Sequence, residues 1–342
     1  MVRRQSLKLT LDGYGSYLGM GKGCYLIRDK KGDTERYPVF DVDIKEVILR
    51  TGNTVSTGAL ASLGFWEENV LILTGRGRPV AYLRATTDDS HVKTRICQYE
   101  ALNDERGIII AKSVILSRFE GQNMILDKYD LMPHNIDILE RLNNVSGKLD
   151  SIRSTLNGIE GKMSKYYFDN ILTLIPKKIR PERRNGFNAY DGFNNALNYG
   201  YEILRWKIHK AIITAKLEPY LGFLHSLQYS KPSLILDVQE LYRHFIEDFI
   251  IQYIQNIEPK DFIMKEKPVS SKRIAKRQFL TKARSTELLK GLNKQFEKTT
   301  EIPRIKHGKK QTIDTLINEE VLLLASFIRK DLNEWVPRPL YL

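Results

Sequence analysis

Three side chains within residues 217–250, LEPYLGFLHSLQYSKPSLILDVQELYRHFIEDFI, are of types that could share one chemistry: His225, Asp237 and Glu240. His225 ends a loop punctuated by Pro219 and Gly222, and an amphipathic helix is predicted to follow it. Asp237 and Glu240 lie three residues apart on that helix, close to one turn, so both carboxylates leave the same side. An imidazole with two carboxylates can hold a hard divalent ion and still leave positions open for water and substrate oxygens, as phosphodiester chemistry requires. The imidazole makes Mn2+ at least as acceptable as Mg2+. Singly the residues say less. A lone histidine is more often a hydrogen-bonded structural group, Asp237 also suits a helix N-terminus, and an isolated Glu240 would ordinarily face water. What lifts His225 above that is its approach, PYLGFLH, apolar and aromatic enough to hold the ring half-buried. A third protein ligand has to come from elsewhere, and composition does not choose among the remaining acids.

The helix pattern divides Val238, Leu241, Tyr242, Phe245 and Phe249 from Asp237, Glu240, His244 and Glu247. The first set is expected to meet the core and the second to form the polar face of a surface helix.

The elements that must position these groups read as an α+β chain of two domains, which 342 residues, 42% hydrophobic and 28% charged, are enough to build. Residues 1–88 are expected to form a small all-β domain, with strands at 7–12, 23–29, 46–52, 70–75 and 79–85 and a brief helix at 57–63. Glycines such as Gly32, Gly75 and Gly77 fall where hairpins need positive φ. From about Lys93 the apolar period becomes helical, which places the boundary in the polar run TTDDSH at 86–91 and makes 89–342 a larger all-α domain. Long helices are expected at 107–126, from an Asp191 N-cap to Lys216, and at 318–335 ahead of Pro337 and Pro339.

Charge is the informative part of the composition: 54 Lys and Arg against 41 Asp and Glu give a net +13, which favours a polyanionic partner. It concentrates in two runs, LIPKKIRPERRNG at 174–186 and KEKPVSSKRIAKRQFLTKAR at 265–284. Arg183, Arg184, Lys272, Arg273, Lys276 and Arg277 are candidates for tracking nucleic-acid phosphates, with a solvated face or flexible loop as the plainer reading of the same runs. Cys24 and Cys97 stand far apart with no CxxC spacing, which indicates neither a disulfide framework nor a zinc site. No stretch reaches the roughly 18 apolar residues of a membrane span. The first residues, MVRRQSLKLTLDG, alternate like a strand and unlike a signal peptide, so a cytoplasmic location is expected.

Four ordered motifs complete the reading: GIEGKMSKYYF (158–168), DGFNNALNYGYEIL (191–204), LEPYLGFLHS (217–226) and SLILDVQELYRHFIED (233–248). Together they resemble the CRISPR-associated endonuclease and integrase of the spacer-acquisition module, and the likeness extends over nearly the whole chain. The resemblance implies metal ligands at Glu160, His225 and Glu240, with Asp237 as a further acidic site residue, and Mg2+ or Mn2+ as cofactor. Without it, Glu160 would read as a solvated glutamate beside two glycines. It also implies double-stranded DNA as substrate, a homodimer built through the β domain, and a small ferredoxin-fold partner subunit. Lys216 departs from the family's usual glycine, and Glu218 from its commoner aspartate.

Overall fold

The computed structural model describes residues 5–11, 14–68, 70–75, 77–85, 90–186, 188–270, 273–300 and 309–337. The chain divides into two compact units, Met1–Lys93 and Thr94–Leu342. Of the boundary expected at 86–91, residues 86–89 lie outside the described ones.

The first unit is strand-rich. It runs β1 (Gln5–Leu11), β2 (Tyr17–Gly21), β3 (Cys24–Arg28), β4 (Thr34–Pro38), β5 (Val42–Arg50), β6 (Thr54–Val55), helix α1 (Thr57–Phe65), β7 (Val70–Leu73) and β8 (Pro79–Leu83). One sheet has the order β1-β5-β7-β8 and the other β4-β3-β2-β6. β5 lies parallel to β1 and to β7, which a chain of simple hairpins cannot give. The β2–β4 meander and α1 supply the crossovers that parallel pairing needs. Leu9, Leu18, Tyr25, Val47, Leu63 and Val70 fill the core of this unit. The expected strands are present, with β2, β4 and β6 in addition. β4, TERYP, is almost wholly exposed and carries no apolar alternation by which sequence could find it.

The second unit is mainly helical: α2 (Ser90–Ala101), α3 (Glu105–Lys128), α4 (Ile138–Asn143), α5 (Leu149–Ile171), α6 (Gly192–Thr214), α7 (Ser233–Glu240), α8 (Arg243–Ile254), α9 (Lys282–Phe296) and α10 (Ile313–Ile328). Asp191 caps α6 as expected, accepting from the Asn194 N–H at 2.7 Å. α6 ends in a left-handed turn: Lys216, at φ +65°, donates to the Ile213 carbonyl and Leu217 to that of Ile212. The helix expected at 318–335 stops at Ile328. Lys330, at φ +66°, and Asp331 turn their N–H groups back onto Phe327 and Ser326, well before either proline.

Two expectations are corrected here. The second unit is not all-α, because β9 (Phe262–Ser270) and β10 (Arg273–Leu280) form an antiparallel hairpin, and β11 (Thr299–Thr300) pairs with β12 (Gln311–Thr312). The hairpin holds much of the second basic run, whose low hydropathy hid its strands. Its base is fastened to the start of α6, where Gln278 N–H donates to the Tyr190 carbonyl and Asn195 Nδ2 to that of Gln278. The single amphipathic helix expected after residue 232 is two, α7 and α8, and its polar face is inside. Asp237, Glu240, His244 and Glu247 are between 1% and 5% exposed. Glu247 is buried against an arginine and two tyrosines from other helices and Glu240 against two arginines, whereas Asp237 takes the N–H groups of the 223–225 loop. Close packing helps: a Cβ on Gly200 of α6 would meet Ile246 of α8 at 2.7 Å.

Candidate active site

The loop at 217–226 is held from both sides. Gln98 of α2, fully buried, accepts from the Glu218 N–H at 2.8 Å and donates to the carbonyls of Glu218 (3.1 Å) and Leu221 (2.8 Å). From α5, Arg153 Nε donates to the Phe223 carbonyl at 2.8 Å and Asn157 Nδ2 to that of Leu224 at 3.4 Å. Gly222 is the residue this fit demands, since a Cβ there would stand 2.7 Å from the Ser233 backbone and 2.9 Å from Asp237 Oδ2.

Asp237 organises the loop's far end. Its Oδ2 accepts from the N–H groups of Phe223 (2.5 Å) and Leu224 (3.0 Å), and its Oδ1 accepts from the His225 N–H at 2.9 Å. Oδ1 also lies 2.7 Å from His225 Nδ1. A carboxylate bonded to Nδ1 fixes the ring's plane and leaves Nε2 as the nitrogen open to a ligand. Burial works against a charged imidazole, but the Asp237 hydrogen bond and charge, with Glu240 behind them, outweigh it and raise the His225 pKa. Both Asp237 oxygens are taken, so this residue orients the histidine and offers no free lone pair of its own to a metal.

Glu240 lies one turn beyond Asp237 and is 5% exposed. Arg243 Nη1 donates to its Oε1 at 2.6 Å, and Arg118 Nε stands 3.5 Å from Oε2, which accepts no hydrogen bond. Burial would raise its pKa, yet the Arg243 and Arg118 charges bring it below the usual value and keep it ionised.

Glu160 sits on α5, further along from the residues that grip the loop. Its Oε1 accepts from Ser164 Oγ at 2.6 Å. The structure therefore joins His225 directly to Asp237 and sets Glu240 within electrostatic reach of them. Among the described residues, no three His, Cys, Asp or Glu side chains converge into a ready metal cluster. Each expected ligand is instead paired separately: Glu160 with Ser164, His225 with Asp237, and Glu240 with two arginines. The donor chemistry still suits a divalent ion, because Asp237 occupies Nδ1 of His225 and leaves Nε2 as its ligand atom, and the buried Oε2 of Glu240 lacks a hydrogen bond.

The phosphate-tracking candidates separate into two kinds. Arg183 and Lys276 are exposed. Arg184 donates to the oxygens of Asn194 (2.8 Å), Asn198 (2.6 Å) and the Asn185 backbone (2.6 Å), and lies over the rings of Phe168 and Tyr201. Arg277 is similarly occupied by the Ala189 carbonyl and Asn195 Oδ1. Lys272 and the side chain of Arg273 fall outside the described residues.

Sequence reasoning missed the network beneath the site. Arg118, fully buried on α3, gives Nη1 to Glu247 Oε2 at 2.9 Å and Nη2 to Oε1 at 2.7 Å. Tyr167 donates to Glu247 Oε2 at 2.9 Å, and Tyr201 donates to Oε1. Burial opposes the Glu247 charge, but Arg118 and its hydrogen bonds bring that pKa down to about 2. Tyr167 and Tyr201 belong to the first two motifs, so a signal existed for them. Arg118, within an apolar helix, left one too, because a charge there needs a buried partner.

Comparison with solved structures places this architecture among the Cas1-like proteins. A casposase bound to integration product superposes with a TM-score of 0.74 at 24% identity, over 98% of this chain and 99% of that one. A partial Cas6-RT-Cas1–Cas2 complex gives 0.70 at 20% identity over 98% of each chain. By sequence, residues 9–285 match the model of the CRISPR associated protein Cas1 family. The CRISPR-associated endonuclease Cas1 1 of Archaeoglobus fulgidus is 31% identical over 281 residues, 75% of this chain and 81% of the relative. The chain belongs to the Cas1 family of CRISPR-associated endonucleases.

Proposed function

We propose that the chain is a divalent-metal-dependent DNA endonuclease and integrase. In this reading it joins short foreign fragments into a CRISPR repeat array, with a DNA 3′-hydroxyl attacking a phosphodiester. The observation that carries the reading is His225, fixed at Nδ1 by buried Asp237 and set beside a Glu240 whose Oε2 lacks a hydrogen bond, in a chain of this family. Glu160, His225 and Glu240 would hold Mg2+ or Mn2+, which when bound supplies charge neutralisation at the reacting phosphate. The protein's own part is positioning. Asp237 holds the imidazole in one plane, and Arg118 and Arg243 keep Glu240 ionised inside the fold. Arg183 and Lys276, exposed on a chain of net charge +13, would hold the duplex backbone.

The same reading takes the first unit as a homodimerisation element and a small ferredoxin-fold subunit as partner. The Cas1–Cas2 assembly among the structural neighbours supports the second of these. No helix among the described residues is long and apolar enough to cross a membrane, and the reading places the protein in the cytoplasm with its DNA.

Strand transfer tests it. The protein is incubated with 3′-hydroxyl or 3′-blocked oligonucleotides and a supercoiled repeat-bearing plasmid, with Mn2+ or Mg2+ and with the small partner subunit present or absent. Joining only with the free hydroxyl is expected, and Glu160→Ala, His225→Ala and Glu240→Ala should each abolish it while DNA binding persists. Metal-dependent nicking indifferent to the 3′-end would instead make the protein a hydrolytic nuclease of branched or damaged DNA. Salt-sensitive binding with no product would leave a DNA-binding scaffold.

A further inference from the structure

Glu160 and Glu240 come from different helices, and one buried side chain touches the supports of both. Gln122 of α3 is fully buried. Its neighbours decide which way its amide points. With the carbonyl toward Arg118, the oxygen accepts from Nε at 3.1 Å and Nη2 at 3.3 Å and lies 3.2 Å from Ser164 Oγ, while the nitrogen donates to His134 Nε2 at 2.9 Å. The opposite orientation would aim an NH2 group at two guanidinium donors. His134 receives the amide nitrogen that this choice leaves. Its ring stacks on Phe119 at 5.2 Å and leans on Tyr166 at 5.0 Å. Burial and the Arg118 charge lower its pKa to about 4, so at neutral pH the ring is uncharged and its Nδ1–H tautomer accepts at Nε2.

From this hub one arm runs through Arg118 to Oε2 of Glu240, and the other through Ser164 to Oε1 of Glu160. Ser164 has a single hydroxyl proton and two acceptors within reach. It can leave the Glu160 carboxylate for the Gln122 carbonyl without being stranded, which frees Oε1 for another partner at little cost.

We infer that Gln122 and Ser164 are positioning residues that fix the Glu160 and Glu240 carboxylates relative to each other for cation binding, with Arg118 setting the orientation of Gln122 and His134 receiving its amide nitrogen. The inference rests on the metal reading of Glu160, His225 and Glu240 given above.

The test is Mn2+ affinity, read from the electron paramagnetic resonance signal of free Mn2+ as the full-length protein is titrated, alongside thermal unfolding. Gln122→Met and Ser164→Ala are each expected to weaken Mn2+ binding about tenfold or more, the range for groups that orient metal ligands. Ser164→Thr, which keeps the hydroxyl, should stay within about threefold of wild type, again on the scale of orienting-group effects. The Gln122→Met/Ser164→Ala double variant should lose less than the product of the single losses, because both act through one relay. A lowered unfolding temperature with unchanged Mn2+ affinity in both single variants would overturn the inference and leave the network as packing. Ser164→Thr falling as far as Ser164→Ala would overturn the hydroxyl's role in the same way. If Glu160→Ala abolishes Mn2+ binding while Gln122→Met and Ser164→Ala do not, the relay fails and the metal reading stands. If wild type binds no Mn2+, or Glu160→Ala, His225→Ala and Glu240→Ala bind it as wild type does, both fail together.

Discussion

Glu240 and Glu247 share a guanidinium and a face of the fold, and they are used in opposite ways. Glu247 is closed: both guanidinium Nη atoms of Arg118 and two tyrosine hydroxyls fill its oxygens, and no solvent reaches its side chain. Glu240 is half open, with Oε1 on Arg243 and Oε2 without a hydrogen bond, and its Arg243 partner is 23% exposed. One arginine therefore anchors a carboxylate that only stabilises and holds ionised a carboxylate that can still act. A saturated buried ion pair is a structural device, whereas an under-satisfied one beside a fixed imidazole is where chemistry can enter.

The largest effect should come from the closed end. Glu247→Gln takes the bidentate partner from the buried Arg118 charge, leaving it only Glu240 Oε2 at 3.5 Å, and is expected to cost about 3–5 kcal/mol of stability. Glu240→Gln leaves Arg118 its main partner and Arg243 some access to water, and should cost about 1 kcal/mol by comparison with single hydrogen-bond losses. Urea denaturation of the two variants measures the gap, and equal losses would break the comparison. The acid limb carries the same signature. Glu247 is depressed from 4.5 to about 2, so its contribution is present above pH 4.5 and disappears as pH falls toward 2.

Next in size is Asp237→Asn. An amide has one acceptor oxygen where the carboxylate has two, so it cannot serve three N–H groups and the imidazole, and an expected cost of about 2 kcal/mol follows from the unmet donors. Hydrogen exchange should show protection lost at Phe223, Leu224 and His225 ahead of the rest of the chain. Uniform loss across both helices α7 and α8 would mean that Asp237 supports the core at large rather than this loop.

A smaller effect belongs to His134. Its pKa falls from 6.5 to about 4, so the neutral ring's contribution is intact above pH 6.5 and is lost as pH drops toward 4. Thermal unfolding followed over that window should decline in wild type and stay flatter in His134→Phe, which keeps the stacking on Phe119 but has nothing to protonate. Parallel curves would remove His134 from the hub that serves Glu240.

How much of this was legible in the sequence follows the same division. The loop, its glycine, the Asp237–Glu240 spacing and the Asp191 cap were readable because each depends on neighbours a few residues away. The inward turn of Asp237, Glu240, His244 and Glu247 was not. A helical face of acids reads as solvated unless one knows that Arg118, Tyr167 and Tyr201 arrive from α3, α5 and α6. Glu160 was visible only through family likeness, since its link to Glu240 passes through Ser164, Gln122 and Arg118, a path between helices that periodicity does not encode. The β9–β10 hairpin escaped for the converse reason: its pairing is backbone chemistry beneath a basic, poorly alternating sequence.

The finest test lies at the loop's entrance, away from both glutamates. Lys216 occupies the left-handed position that closes α6, at φ +65°, a conformation that favours glycine. An L side chain in that conformation costs about 1 kcal/mol, so Lys216→Gly is expected to stabilise the protein by up to that amount while keeping the Lys216 N–H bond to Ile213. Because Gln98 and Arg153 clamp the chain between Lys216 and His225, the gain should stop there and leave Mn2+ affinity unchanged. A stabilised variant with altered Mn2+ affinity would show that the clamps transmit strain from the helix end to the imidazole. The half-open end of the network would then be tuned by its backbone as well as by its arginines.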